Sequence, residues 1–279
     1  MHKIAEYINI LGEFCGKRDV EELSVEHMQK KYGITQADVM VLFGGSIICG
    51  GDVLAKAMQN GIAKKYVIVG GAGHTTETLR IRMHEEFPMI ETSGKPEAEV
   101  FAEYLKHIHG LEVDYLECNS TNCGNNITYL LDLLKEHNIE FKSIILSQDA
   151  TMQRRMEAGL RKYVNEDVTI INYAVYAAKV IVENECLVYV DDIWGMWDME
   201  RYISLLLGEI PRLSDDENGY GPKGKDFIAH VEIPNEVQAA FEGLCEKYAG
   251  LVREANPLYA SKEKKDRPYF ALNLLCNSQ

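Results

Sequence analysis

Five short runs dominated by apolar residues, each followed by a stretch long enough for a helix, constrain this chain more than any other feature. They are Val39 to Phe43, Tyr66 to Val69, Val113 to Leu116, Ser143 to Ser147 and Val168 to Tyr173. The runs at 39–43 and 66–69 show no alternation of apolar and polar residues, as expected of strands covered on both faces. Amphipathic helices are predicted between them: about Asp52 to Gly61, Glu97 to His109, a helix defined by Ile127, Leu130, Leu131 and Leu134, and Met152 to Tyr163. In the second of these, Ala98, Phe101, Leu105 and Ile108 share one face and Gly110 stands where a C-terminal cap belongs. Strands and helices alternating at this length predict an α/β fold with a Rossmann-like, doubly wound parallel sheet.

Either side of that rhythm the pattern is helical. Residues 2–31 carry Ile4, Ile8 and Leu11 at helical spacing with Gly16 as a stop, while Trp194 to Leu207 and Pro234 to Val252 read as helices joined by the polar stretch Asp215 to Lys225. The expected division is N-terminal helices over 1–36, a Rossmann-like domain over 37–190 and a C-terminal helical subdomain over 191–279. The N-terminal helices are expected to complete that subdomain. The charged segment Ser261 to Arg267 is expected to be loosely held.

Composition narrows the function classes. A hydrophobic content of 46% supports a packed core, and no stretch approaches the roughly 18 uninterrupted apolar residues of a membrane helix. No signal peptide is read at the start, so a soluble, cytoplasmic protein is expected. The seven cysteines lack any Cys-x-x-Cys pair, which argues for reduced thiols rather than a disulfide framework or a zinc cluster. A formal charge of −14 repels a nucleic-acid backbone. The expected partner is a small molecule, with no nucleic acid, no membrane and no metal; oligomeric state is not readable.

Ligands of open parallel sheets bind outside the carboxyl ends of the strands. Four strand-to-helix junctions meet there: Gly44-Gly45-Ser46, Gly70 to His74, Asn119 to Asn126, and Ser147 to Thr151. Glycines such as Gly71 and Gly73 let a ligand approach the backbone, although tight turns use glycine for their own geometry. In the third junction one of Ser120, Thr121 or Asn122 suffices to cap the following helix. That leaves Asn125 and Asn126 to hold a ligand or to lock neighbouring loops.

Arg154 and Arg155 occupy the first turns of a helix, where the dipole disfavours cations unless an anion compensates. They could hold a ligand carboxylate or phosphate, or pair with Glu97 or Glu99 as a structural bridge. Those two carboxylates begin a helix, where acids are favourable anyway, and they point to different faces. His74 is a candidate acid or base, with Asp149 as the group that orients it. His107 and His109, two apart on a helix, do not suit joint metal ligation. No phosphate-binding loop, nucleophile elbow or dinucleotide fingerprint is present, and the second strand ends in glycine where a ribose-binding acid would stand.

Read together, these strings resemble the YdcF family of bacterial Rossmann-like proteins. The resemblance rests on Gly70 to His74, Glu97-Ala98-Glu99, Ser120 to Asn126, Gln148 to Arg155, Glu200-Arg201-Tyr202, Gly208 to Leu213 and Gly219 to Pro222. It implies an α/β domain, a smaller helical one and a cleft between them. S-adenosyl-L-methionine is the ligand it suggests, with Asn125 and Asn126 on ribose or base and Arg154 or Arg155 on the carboxylate. The first strand departs from the family by ending Phe43-Gly44-Gly45-Ser46, which leaves contacts from Ser46 open. Two other readings stand beside this one. The first is a hydrolase or transferase for a phosphorylated metabolite using His74, Asp149 and the arginines. The second is a ligand-regulated interaction module built on Trp194, Trp197 and residues 215–225.

Overall fold

The computed structural model describes residues 1–45, 47–73 and 75–252. The expectations for Ser46, His74 and the 261–267 segment lie outside the described residues. Five strands form one parallel sheet: β1 (Ala37–Phe43), β2 (Ala63–Val69), β3 (Tyr115–Glu117), β4 (Ser143–Ser147) and β5 (Thr169–Asn172), in the order β3-β2-β1-β4-β5. Because β1 pairs in parallel with both β2 and β4, the chain reverses its winding between β1 and β4, and the sheet is a Rossmann-like doubly wound one.

The continuous apolar runs have a simple physical cause. Val39, Val41 and Phe43 of β1, Val67 and Val69 of β2, and Ile144 and Leu146 of β4 pack under α6 (Cys123–Glu136) and α7 (Gln153–Arg161), mainly through Ile127, Leu130, Leu134, Met156 and Leu160. The alternate residues Met40, Leu42, Ile68, Ile145 and Ile171 enter a larger cluster on the opposite face with α3 (Cys49–Gln59) and α5 (Glu97–Tyr104). Both faces are covered, so each such side chain contributes about 1.5–3 kcal/mol by burial.

Outside the sheet, α1 (His2–Cys15) ends at Gly16, and α2 (Val25–Tyr32) is capped by the Ser24 side chain and closed by left-handed Gly33. The larger cluster continues through α1 into α8 (Met199–Leu213) and α9 (Asn235–Tyr248), which pack on it. Residues between α1 and α2 cover the outer edge of β5: Asp19 N–H donates to the Asn172 carbonyl at 2.8 Å, and its carboxylate takes the Asn172 N–H and side-chain amide at 2.7 and 2.9 Å. Among the described residues, no helix is long and apolar enough to cross a membrane.

Three features depart from the sequence reading. Helix α4 (Thr76–Glu86) is an additional element, and it buries little beyond Leu79 and Met83, so it carries no broad apolar stripe to announce it. An antiparallel hairpin, β6 (Val180–Glu183) and β7 (Cys186–Tyr189), follows the parallel sheet. The helix expected from Trp194 starts instead at Met199, where the Asp198 side chain accepts the Arg201 N–H. Residues 190–198 are therefore a connecting segment. The helix begun at Glu97 ends in a π-helical turn over Leu105–His109, closed by left-handed Gly110.

Candidate functional site

The carboxyl ends of the strands bring the glycine junctions together, and Glu97 organises them. Its side chain lies across two strand ends: a Cβ on Gly44 would sit 2.5 Å from Glu97 Oε2 and 2.8 Å from Glu97 Cβ, and one on Gly70 3.0 Å from Glu97 Cβ. These two glycines are thus explained by the carboxylate they accommodate. Glu97 N–H donates to the Gly71 carbonyl and Ala98 N–H to that of Gly70, tying α5 to the end of β2. The hydroxyls of Thr76 and Thr75 donate to Oε1 at 2.7 and 3.2 Å. Among the described residues nothing donates to Oε2. Burial pushes the Glu97 carboxyl above its ordinary range, against the opposing pull of the two threonines and Arg80.

The neighbouring loop is locked by backbone contact. A Cβ on Gly71 would meet the Ser120 carbonyl oxygen at 2.2 Å, and Gly71 N–H donates to Ser120 Oγ at 3.2 Å. Glu117, buried at the end of β3, accepts the N–H groups of Asn119 and Ser120 at 2.6 and 3.1 Å. Asn122 is the cap of α6, its side chain accepting Asn125 N–H at 3.0 Å. Asn125 Oδ1 in turn takes the Asn122 side-chain amide at 2.8 Å and the Thr121 hydroxyl at 3.2 Å. Asn125 is therefore engaged in the cap, while half-buried Asn126 follows it on the same turn.

Gly45 and Asp149 stand on either side of the point where the winding reverses. They line a small enclosed space of about 10 Å³, together with Leu42, Phe43, Ile47, Gly50, Phe101, Gln148 and Val175. That is the room one water molecule takes. Asp149 is 3% exposed and fully engaged: Oδ1 accepts Thr151 N–H, Thr151 Oγ1 and Tyr176 OH, and Oδ2 accepts the Trp197 indole N–H, all at 2.8 Å. A buried amide relay continues from it. Gln148 Oε1 accepts Asp149 N–H, Gln153 Oε1 accepts Gln148 N–H, and the Gln153 side-chain amide donates to Asn172 Oδ1 at 3.0 Å.

The arginines answer the helix dipole with protein groups. Arg155 forms a two-point pair with Glu209 of α8, Nε to Oε2 at 2.6 Å and Nη2 to Oε1 at 2.9 Å, so its carboxylate is neither Glu97 nor Glu99. Arg154 donates to the Phe14 carbonyl of α1 and lies 4.1 Å from the Phe14 ring centroid. Glu99 is half-buried beside Cys118, whose thiol is pushed up to about 11 by burial first and then by Glu99 and Glu117. Elsewhere, His109 and Tyr104 share Asp52 Oδ1, at 3.0 and 2.6 Å.

Glu117, Gln148, Gln153 and Tyr176 are not candidate site residues in the sequence reading, and Trp197 stands there only on an interaction surface. A usable signal existed for two of them: Gln148 and Gln153 bracket the loop already singled out by its polar residues. No known protein-family model matches the chain. The edge so assembled is rich in acceptors (Glu97, Glu99, Glu117, Asp149), and the two guanidinium groups nearest in sequence are committed to other elements.

Proposed function

We propose that this is a cytosolic, YdcF-like protein that binds S-adenosyl-L-methionine, or a related adenine nucleoside, at the carboxyl ends of its parallel strands. The observation that carries this reading is Glu97. A carboxylate 7% exposed lies over Gly44 and Gly70 with one oxygen held by two threonines and the other without a donor among the described residues. Its place at this edge supplies the acid that the end of β2 lacks, and it suits a ribose hydroxyl or an ammonium group. An acceptor-rich edge also favours a sulfonium cation over a phosphate. The six described cysteines are free thiols, which suits a reducing compartment.

A phosphorylated-metabolite reading needs guanidinium groups that face the ligand, and Arg155 is held by Glu209 while Arg154 rests on Phe14. The nucleoside reading is tested by calorimetric titration of S-adenosylmethionine and adenosine into the wild type and into Glu97→Gln. Micromolar affinity, about −8 kcal/mol, is expected for the wild type. A loss of about tenfold or more is expected for the variant, whose circular dichroism should be unchanged. Absence of binding by both compounds, or equal affinity in the variant, refutes it.

A further inference from the structure

Both tryptophans of the chain, Trp194 and Trp197, fall in the segment 190–198 between β7 and α8. This segment bridges the two loops that flank the reversal of winding. Gly195, at φ +78°, presses on the β1–α3 loop so closely that a Cβ would lie 3.0 Å from Ile48 N. Two residues on, the Trp197 indole donates to Asp149 in the β4–α7 loop. Arg82 of α4 donates from Nη1 to the Gly195 carbonyl at 2.7 Å, and Trp194 packs edge-on to Phe87 with ring centroids 5.5 Å apart.

What the segment closes over is the position where sheets of this topology take their ligands, and the space of about 10 Å³ that the two loops line there has room for about one water. The closed state has an unsatisfied group. Ser147 pairs in register with Leu42, so its side chain shares a sheet face with that cavity-lining residue, and its hydroxyl is fully buried without a partner among the described residues. Asp149 shows how closure is maintained: its Oδ1 is held by Thr151 and Tyr176, close to the sheet, while its Oδ2 is held by Trp197. Beyond the Val190 N–H bond to the Lys179 carbonyl, the segment joins no strand ladder, and Asp191 and Asp192 on it are exposed. Segments of this kind open at lower cost than helices.

We infer that residues 190–198 form a lid over the winding reversal and that Trp197 acts as a built-in ligand. Its N–H occupies, on Asp149 Oδ2, the place taken by an N–H or O–H donor of an incoming small molecule when the lid lifts. The class of that molecule rests on the nucleoside reading above; the motion of the lid does not. The ligand trades one donor for another on the same carboxylate oxygen, so apparent affinity is set by the fraction of molecules whose lid is open.

The tryptophan emission of the whole protein belongs to the lid, which makes the test direct. In hydrogen exchange on the ligand-free, full-length protein, lid amides should exchange at least about tenfold faster than those of 202–210 in α8. Equal rates would overturn the lid. In Trp197→Phe, shown to be folded by unchanged far-UV circular dichroism, acrylamide should quench the remaining emission, that of Trp194, more strongly than it quenches the wild type, and adenosine should bind more tightly than to the wild type. Unchanged quenching in a folded variant also overturns the lid; if the variant does not fold, the wild-type exchange decides alone. A lid that opens in a protein binding neither adenosine nor S-adenosylmethionine refutes the nucleoside reading and the donor exchange, while the motion stands.

Discussion

Replacing Arg155 by Met tests whether this arginine braces the fold or serves a ligand. Its side chain is 14% exposed and that of Glu209 6%, and two short charge-assisted bonds join them. Removing the guanidinium leaves the Glu209 carboxylate buried and uncompensated in α8, at a cost of about 3–5 kcal/mol. Against a total stability of roughly 5–15 kcal/mol this is a large fraction. With a urea slope of roughly 1–3 kcal/mol per molar, the midpoint should fall by about 1–5 M. The double variant Arg155→Met, Glu209→Leu removes both charges together and should recover most of the loss, because desolvation of the pair disappears with its attraction. Urea titrations followed by far-UV circular dichroism give all three free energies. A single variant within about 1 kcal/mol of wild type, or a double variant as unstable as the sum of the two singles, refutes the brace. A ligand-holding arginine would show the opposite signature, weakened binding with stability intact.

Glycines at the edge should separate by what surrounds them. Gly71→Ala drives a Cβ to 2.2 Å from the Ser120 carbonyl oxygen, so a loss of about 3 kcal/mol or more is expected in thermal melts. Gly73→Ala meets nothing nearer than 3.6 Å among the described residues and should stay within about 0.5 kcal/mol of wild type; similar losses at both positions would contradict the packing account. Glu97 should leave a mark on the pH dependence of stability. Its folded-state carboxyl is raised by burial from an ordinary value of 4.5, so between the two values the folded protein binds the proton that the unfolded chain has released. Stability from this group is therefore present below pH 4.5 and is lost as pH rises through the raised value. Glu97→Gln should remove that slope in urea midpoints measured across weakly acidic pH, and an unchanged slope would count against the burial.

The difference between what the residues announced and what the structure adds follows the range of the interactions. Val39 to Phe43 and Ile144 to Leu146 declare a two-sided parallel sheet because every residue in them faces a helix layer, a property written into consecutive positions. Gly110 and Asn122 act within one helical turn of themselves, and caps of that kind can be read locally. Arg155 is the instructive middle case. Its place in the first turn of α7 called for a compensating anion, from a ligand or from the protein, which was legible, but the partner lies 54 residues further on in α8 and no local pattern points there. Gly44 and Gly70 go a step beyond, since each read alone is a turn glycine. Only with β1 and β2 paired does a single buried carboxylate from α5 account for both, and that same placement leaves Glu97 Oε2 without a donor among the described residues. The glycines make room for the acid first; any ligand they admit meets that acid.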